Sequence, residues 1–244
     1  MELNPKASLF FLASLITGYP HEQFSYFVET LLKNKKTREE GEFVNASWWK
    51  KTLNHLKHLL SSQKFIQKLR SDYIDIFDRG KDQNSPYETE YGLYRGMRKA
   101  SELSDISGFY KAFGFECGVS YSAKEMLDHI SVELEFYALL LMKQRVLEEK
   151  GDEIGIQVVL DARKKFLKDH LGTFIEAIAS RSAIREHPQY HDFFQWILNL
   201  VNQECRALDA HSVQISWGAD RPQEESFKCG VLGQCSIQEM MKEL

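Results

Sequence analysis

No stretch of this chain alternates apolar and polar residues long enough to demand a β-strand, while apolar residues recur three and four positions apart almost throughout. Leu9, Leu12, Leu15 and Ile16 share one helical face, and Gly18 and Pro20 end that helix. Phe24, Phe27, Val28, Leu31 and Leu32 repeat the pattern over 21–33, and the charged run 33–42 reads as a solvated connection. Residues 46–77 hold a long helical pattern, interrupted near Ser61 and Ser62. The stretch 78–92, rich in Gly, Asp, Asn, Ser and Pro, is the clearest loop. A short helical stretch follows, and 104–120 is expected to break at its glycines. Ser122 and Glu125 fit a capping box, predicting a helix from there to about Glu149. Two further helices are predicted over 156–179 and 190–208, separated by a break at 180–189. The expectation is an all-α, single-domain helical bundle over 1–208, with 209–244 an irregular C-terminal tail packed on it or partly ordered.

Composition narrows the function classes. With 244 residues the chain can bury a sizeable core, and its formal net charge of −4 argues against a nucleic-acid partner. The apolar run at 7–20 is too short to span a bilayer and lacks the flanks of a signal peptide, so a cytoplasmic protein without stable membrane insertion is expected. Cys117, Cys205, Cys229 and Cys235 lack zinc-site spacing and read as free thiols. His55 and His58 sit among lysines and read as solvated, and Trp48 and Trp49 divide between surface and core.

The stretch LDHISVELEFYALLLMK (127–143) concentrates titratable groups, with Asp128, His129, Glu133 and Glu135 ahead of an apolar second half. On a helix His129, Glu133 and Phe136 share a stripe, and Asp128 and Glu135 share another. The Glu-x-x-His pairs of a di-metal bundle are missing here and around Asp169 and His170, so neither metal nor cofactor is expected. No nucleophile elbow, metalloprotease helix or phosphate loop occurs. Acid–base work by Asp128 and His129 stays open as a helical enzyme, although adjacent helical residues do not face each other. The bland alternative is a structural scaffold, Asp128 favouring a helix N-terminus and His129 packing partly buried. A second feature is SDYIDIFDRG (71–80) running into SPYETEYG (85–92). Tyr73, Ile76 and Phe77 form an apolar helical face, and the loop offers Pro86, Tyr87, Glu88, Glu90 and Tyr91. Aromatics beside carboxylates suit a cleft for an apolar, basic peptide, and a helix end with a polar turn is the simpler reading.

Together, DYIDIFDRG, SPYETEYG, DHISVELEFYALLL and FLKDHLGTF, in this order behind an N-terminal helix ending in GYP, resemble the TorD/DmsD/NarJ family of redox-enzyme maturation chaperones over roughly residues 5–205. The resemblance implies an all-helical, cytoplasmic, non-enzymatic protein of the TorD-like type. Such a protein binds the twin-arginine signal peptide or N-terminal region of an apo-molybdoenzyme subunit until the molybdenum cofactor is inserted, then releases it for assembly or export. It implies a client cleft formed by Tyr73, Ile76, Phe77, Pro86, Tyr87, Glu88, Tyr91, Asp128 and His129. Glu133 and Glu135 would orient the helix or attract the arginines. The client's identity stays open, as does the choice between monomer and homodimer.

Overall fold

The computed structural model describes residues 4–33, 47–79, 84–92, 99–116 and 125–215. Among them the regular elements are helices, joined by one isolated antiparallel bridge between Tyr87 and His129. The bundle is all-α, as the periodicity requires.

The first helix, α1 (Pro5–Thr17), is capped by Asn4, whose side-chain oxygen accepts the amides of Lys6 and Ala7. Its sequence shows an apolar face, yet every residue from Ala7 to Thr17 except Phe11 is buried. It is therefore the central rod of the bundle rather than a surface helix. Its largest contact is with α6 (Ile130–Lys150), the longest helix, which ends on Gly151 in a left-handed conformation (φ 68°). Between them in the chain come α2 (Phe24–Lys33), α3 (Ser47–Ser61), α4 (Gln63–Tyr73) and α5 (Lys99–Ala112). The break between α3 and α4 falls at Ser62, as the sequence predicts. The glycine-rich stretch departs from expectation: α5 runs straight through Gly108 and stops at Gly114, where φ is 63°. One solvent-facing glycine costs a helix only about 1 kcal/mol, which packing of Ile106 and Tyr110 in the core offsets.

After α6, α7 (Glu153–Phe166) passes through a π turn (Leu167–Leu171) into α8 (Gly172–Ala179). The expected break at 180–189 holds a short helix, α9 (Ser182–Glu186), before α10 (Pro188–Ala207) starts with proline in its first turn. A second π turn (Ile74–Asp78) extends α4. Both π turns fall in segments the sequence singles out, in keeping with the habit of such bulges to occur at functional sites.

A buried polar network ties the bundle together. Arg163 of α7 bonds to Glu204 of α10 and to the Tyr137 hydroxyl of α6, and Lys6 of α1 pairs with Glu204 at 2.7 Å. Burial alone would raise the Glu204 carboxyl, but Arg163 and Lys6 hold it below its ordinary value. One other polar position differs from its sequence reading. His55 bonds to Asp192 at 2.9 Å instead of being solvated, whereas Trp49 is buried and Trp48 only partly so, as expected. The part of the tail within the described residues, 209–215, has no regular structure and lies along α8, with the Ile215 amide donating to the Thr173 carbonyl at 3.0 Å. The run 34–42, residues 216–244 and three of the cysteines (117, 229 and 235) lie outside the described residues.

Candidate functional site

The loop 84–92 and the turn before α6 are stitched together by backbone. The Glu88 amide donates to the Asp128 carbonyl, and the Ile130 amide to the Pro86 carbonyl, each at 2.9 Å. Asp128 and His129 are therefore not on the helix that the capping box predicts. Ser122 lies outside the described residues, Glu125 to Asp128 form a turn, and His129 is the N-cap of α6. The imidazole replaces the usual Ser or Asp, its Nδ1 accepting the Ser131 amide at 3.1 Å.

Neither residue faces the other. Asp128, fully buried, accepts the Thr89 hydroxyl at 2.6 Å and the Thr89 amide at 3.3 Å. His129, also fully buried, uses Nδ1 for Ser131 and places Nε2 3.3 Å from the Tyr73 hydroxyl. Burial depresses its pKa to about 3, so the ring is neutral at physiological pH. An acid–base dyad of Asp128 and His129 is not formed. The partly buried histidine of the structural reading is, in the fold, wholly enclosed.

Around them the predicted residues separate into three groups. Tyr73, Ile76 and Phe77 are buried, Tyr73 packing its ring 5.0 Å from Phe77 and 5.6 Å from Tyr19. Pro86, Glu88 and Tyr91 are also buried, with the Tyr91 hydroxyl closing its own loop on the Ser85 carbonyl at 2.7 Å. Tyr87 alone of the predicted loop aromatics reaches the surface. Its ring packs edge-on to His129 with centroids 5.2 Å apart, and its hydroxyl donates to Glu125 at 3.4 Å. Burial, then the Glu125 charge, pushes the Tyr87 phenol up to about 12; burial and then the Asp78 charge also raise the Glu125 carboxyl.

The two acids of Glu-Leu-Glu-Phe part company. Glu133 is fully buried and no described donor reaches either oxygen. Its pKa is well raised, by burial first and then by the Glu88 charge, which favours the protonated, neutral form. A neutral, enclosed acid does not attract arginines, so Glu133 serves the packing. Glu135 points elsewhere, into an apolar groove of about 310 Å³ between α1, α2 and α6.

Sequence reasoning missed a further member. His170, on the π turn after α7, is buried with Nδ1 3.2 Å from both Glu88 oxygens and Nε2 3.2 Å from Asp105 of α5. Burial lowers its pKa, but the bond to Glu88 and the charges of Glu88 and Asp105 outweigh that and leave it raised. These three line a polar groove of about 810 Å³ with Glu102 and Asp169. Nothing along the chain links position 170 to position 88, and only the quoted KDH triplet marks the spot. Among the described residues no cluster has the makings of a metal site, and no helix is long and apolar enough to cross a membrane.

No curated protein and no solved structure matches the chain. A match does exist to the family described as the nitrate reductase delta subunit, over residues 45–180, which span α3 to α8 and every part of the site just described. Covering more than half of its length, that match shows that the chain belongs to the nitrate reductase delta subunit family, within the TorD/DmsD/NarJ group of molybdoenzyme maturation chaperones.

Proposed function

We propose that this chain is a cytoplasmic chaperone that holds the twin-arginine signal peptide or N-terminal region of an apo-molybdoenzyme catalytic subunit while the molybdenum cofactor is inserted, then releases it for assembly or export. Family membership carries the general role. The observation that supports a peptide at this site is the surface position of Tyr87 and Glu125 over a buried layer of Tyr73, Phe77 and His129. Tyr87 offers a ring face for an apolar or cationic side chain. After burial, the largest cause, the charge of Glu125 and more weakly that of Asp78 raise the pKa values of the Tyr73 and Tyr87 phenols, a field of negative sign that a peptide's arginine or lysine relieves. Of the remaining candidates, Pro86, Glu88, Tyr91, Asp128 and Glu133 support this surface from within, and Glu135 does not belong to it.

The test is calorimetric titration of the protein with a twin-arginine signal peptide, alongside the Tyr87→Ala and Glu125→Gln variants. The reading requires binding by the wild type and a loss of about tenfold or more in each variant, the size of one well-placed interface contact. Absence of binding, or equal affinity in all three proteins, sinks it.

A further inference from the structure

His170 is the one buried histidine of the site whose two nitrogens both face carboxylates. A neutral imidazole carries one N–H, and an ionised carboxylate can only accept. Contacts of 3.2 Å from Nδ1 to Glu88 and from Nε2 to Asp105 are both satisfied when the ring is an imidazolium. The two acids lie on separate pieces of chain: Glu88 on the loop that carries Pro86 and Tyr87, Asp105 on α5. We propose that His170 is a positioning residue for the candidate client surface, a doubly bonded imidazolium that clasps loop 84–92 to α5 and makes the seating of Tyr87 depend on its protonation. This rests on the peptide-binding reading only for its consequence to the client, not for the clasp itself.

The surroundings bear on its titration from every side. Glu88 faces it from the loop, with protonated Glu133 of α6 behind. Asp105 faces it from α5, shared at 3.9 Å with Lys165, which also pairs with Asp169 at 2.6 Å; Lys168 and Glu102 border the same groove. The rings of Phe109 and Phe166 pack against it at 5.6 and 5.2 Å. The raised pKa agrees with this geometry. Its sign is definite: the clasp is complete below the unfolded histidine value of about 6.5 and is lost as pH rises through the folded value. Loss of the proton breaks the contact to half-exposed Asp105. It also turns the charge-assisted bond to buried Glu88 into a weaker one.

Nuclear magnetic resonance of the full chain reads the clasp without a client. The imidazole of His170 should titrate above about 6.5. Across the same midpoint the hydrogen-exchange protection factors of the Glu88 and Ile130 amides, which hold the loop to the turn, should fall several-fold. Asp105→Asn should move the midpoint down, and His170→Gln should abolish the step in protection. A His170 titration at or below about 6.5, or protection that stays level across the titration, overturns the clasp. Signal-peptide affinity measured on both sides of the midpoint separates the two readings. A several-fold weaker affinity on the alkaline side supports the positioning role. Equal affinity on both sides removes that role while leaving peptide binding intact. No binding at either pH removes the client reading while leaving the clasp to the resonance data.

Discussion

Thr89 donates its hydroxyl to Asp128 Oδ2 at 2.6 Å, and its amide reaches the same oxygen at 3.3 Å, so the aspartate of the Asp-His pair serves the loop rather than the histidine beside it. The carboxylate's other oxygen has no described partner and no contact with solvent. This one side chain therefore adds to the backbone bonds from Glu88 and Ile130 that seat the loop carrying Tyr87.

Thr89→Val keeps the shape and removes the hydroxyl. Leaving a buried carboxylate with one donor fewer should cost about 1–3 kcal/mol in urea unfolding at pH 7. A cost of only a few tenths would mean that the bond does not hold the loop.

His129 caps α6 as a neutral ring. His129→Ala should destabilise by about 0.5–2 kcal/mol through the lost cap, and His129→Asn should recover much of that, since asparagine caps well. The folded pKa of about 3 lies below the unfolded value, so the unfolded chain binds the extra proton between the two. Stability from this residue is full above about pH 6.5 and drains away as pH falls towards 3. Urea unfolding at a series of pH values should show a shallower acid loss in His129→Asn than in the wild type.

Burial and then the Glu88 charge raise the folded pKa of Glu133, so its stabilising contribution is present below the ordinary glutamate value and is lost as pH rises through the folded one. Glu133→Gln puts a permanent donor in the same place. It should be neutral to stabilising by about 1 kcal/mol at pH 7, and the gain should grow towards pH 9. A marked loss of stability at neutral pH would falsify a protonated Glu133.

Gly172 follows the π turn that carries His170. A Cβ there would stand 2.3 Å from the Leu167 carbonyl oxygen and 3.2 Å from the Cys205 sulfur. The Gly172 carbonyl in turn accepts from Ser212 and Gln214 at 2.9 Å. Gly172→Ala must shift backbone and should cost roughly 2–3 kcal/mol or more, lowering the melting temperature by several degrees. An unchanged melting temperature would show that the turn relaxes without strain.

Local sequence signals locate the helices well where periodicity and punctuation agree, at the Ser62 break and the Gly151 stop, and place the start of α10 within two residues of Pro188. They misplaced the start of α6, because a histidine cap has no place among the usual capping residues and Glu125 mimicked one end of a capping box. They also missed the helix through Gly108, where core contacts of Ile106 and Tyr110 override a poor helix former. In the site, Tyr73, Phe77, Tyr87, Asp128 and His129 were legible as a group only through the order of four motifs. Their spacing along the chain favoured blander readings.

What the sequence determined by itself is the all-helical architecture, since the hydrophobic period of a helix is written in neighbours three and four apart. Family membership rests there too, on the family match over residues 45–180. Tertiary structure alone decided which polar groups reach the candidate surface and which lie buried beneath it. Glu133 is enclosed near the Glu88 charge, Asp128 goes to Thr89, and His170 joins a loop 82 residues away along the chain. Those assignments depend on burial and on distances between segments remote in sequence. Burial sets the charge a group carries, and the approach of remote segments sets what that charge can hold.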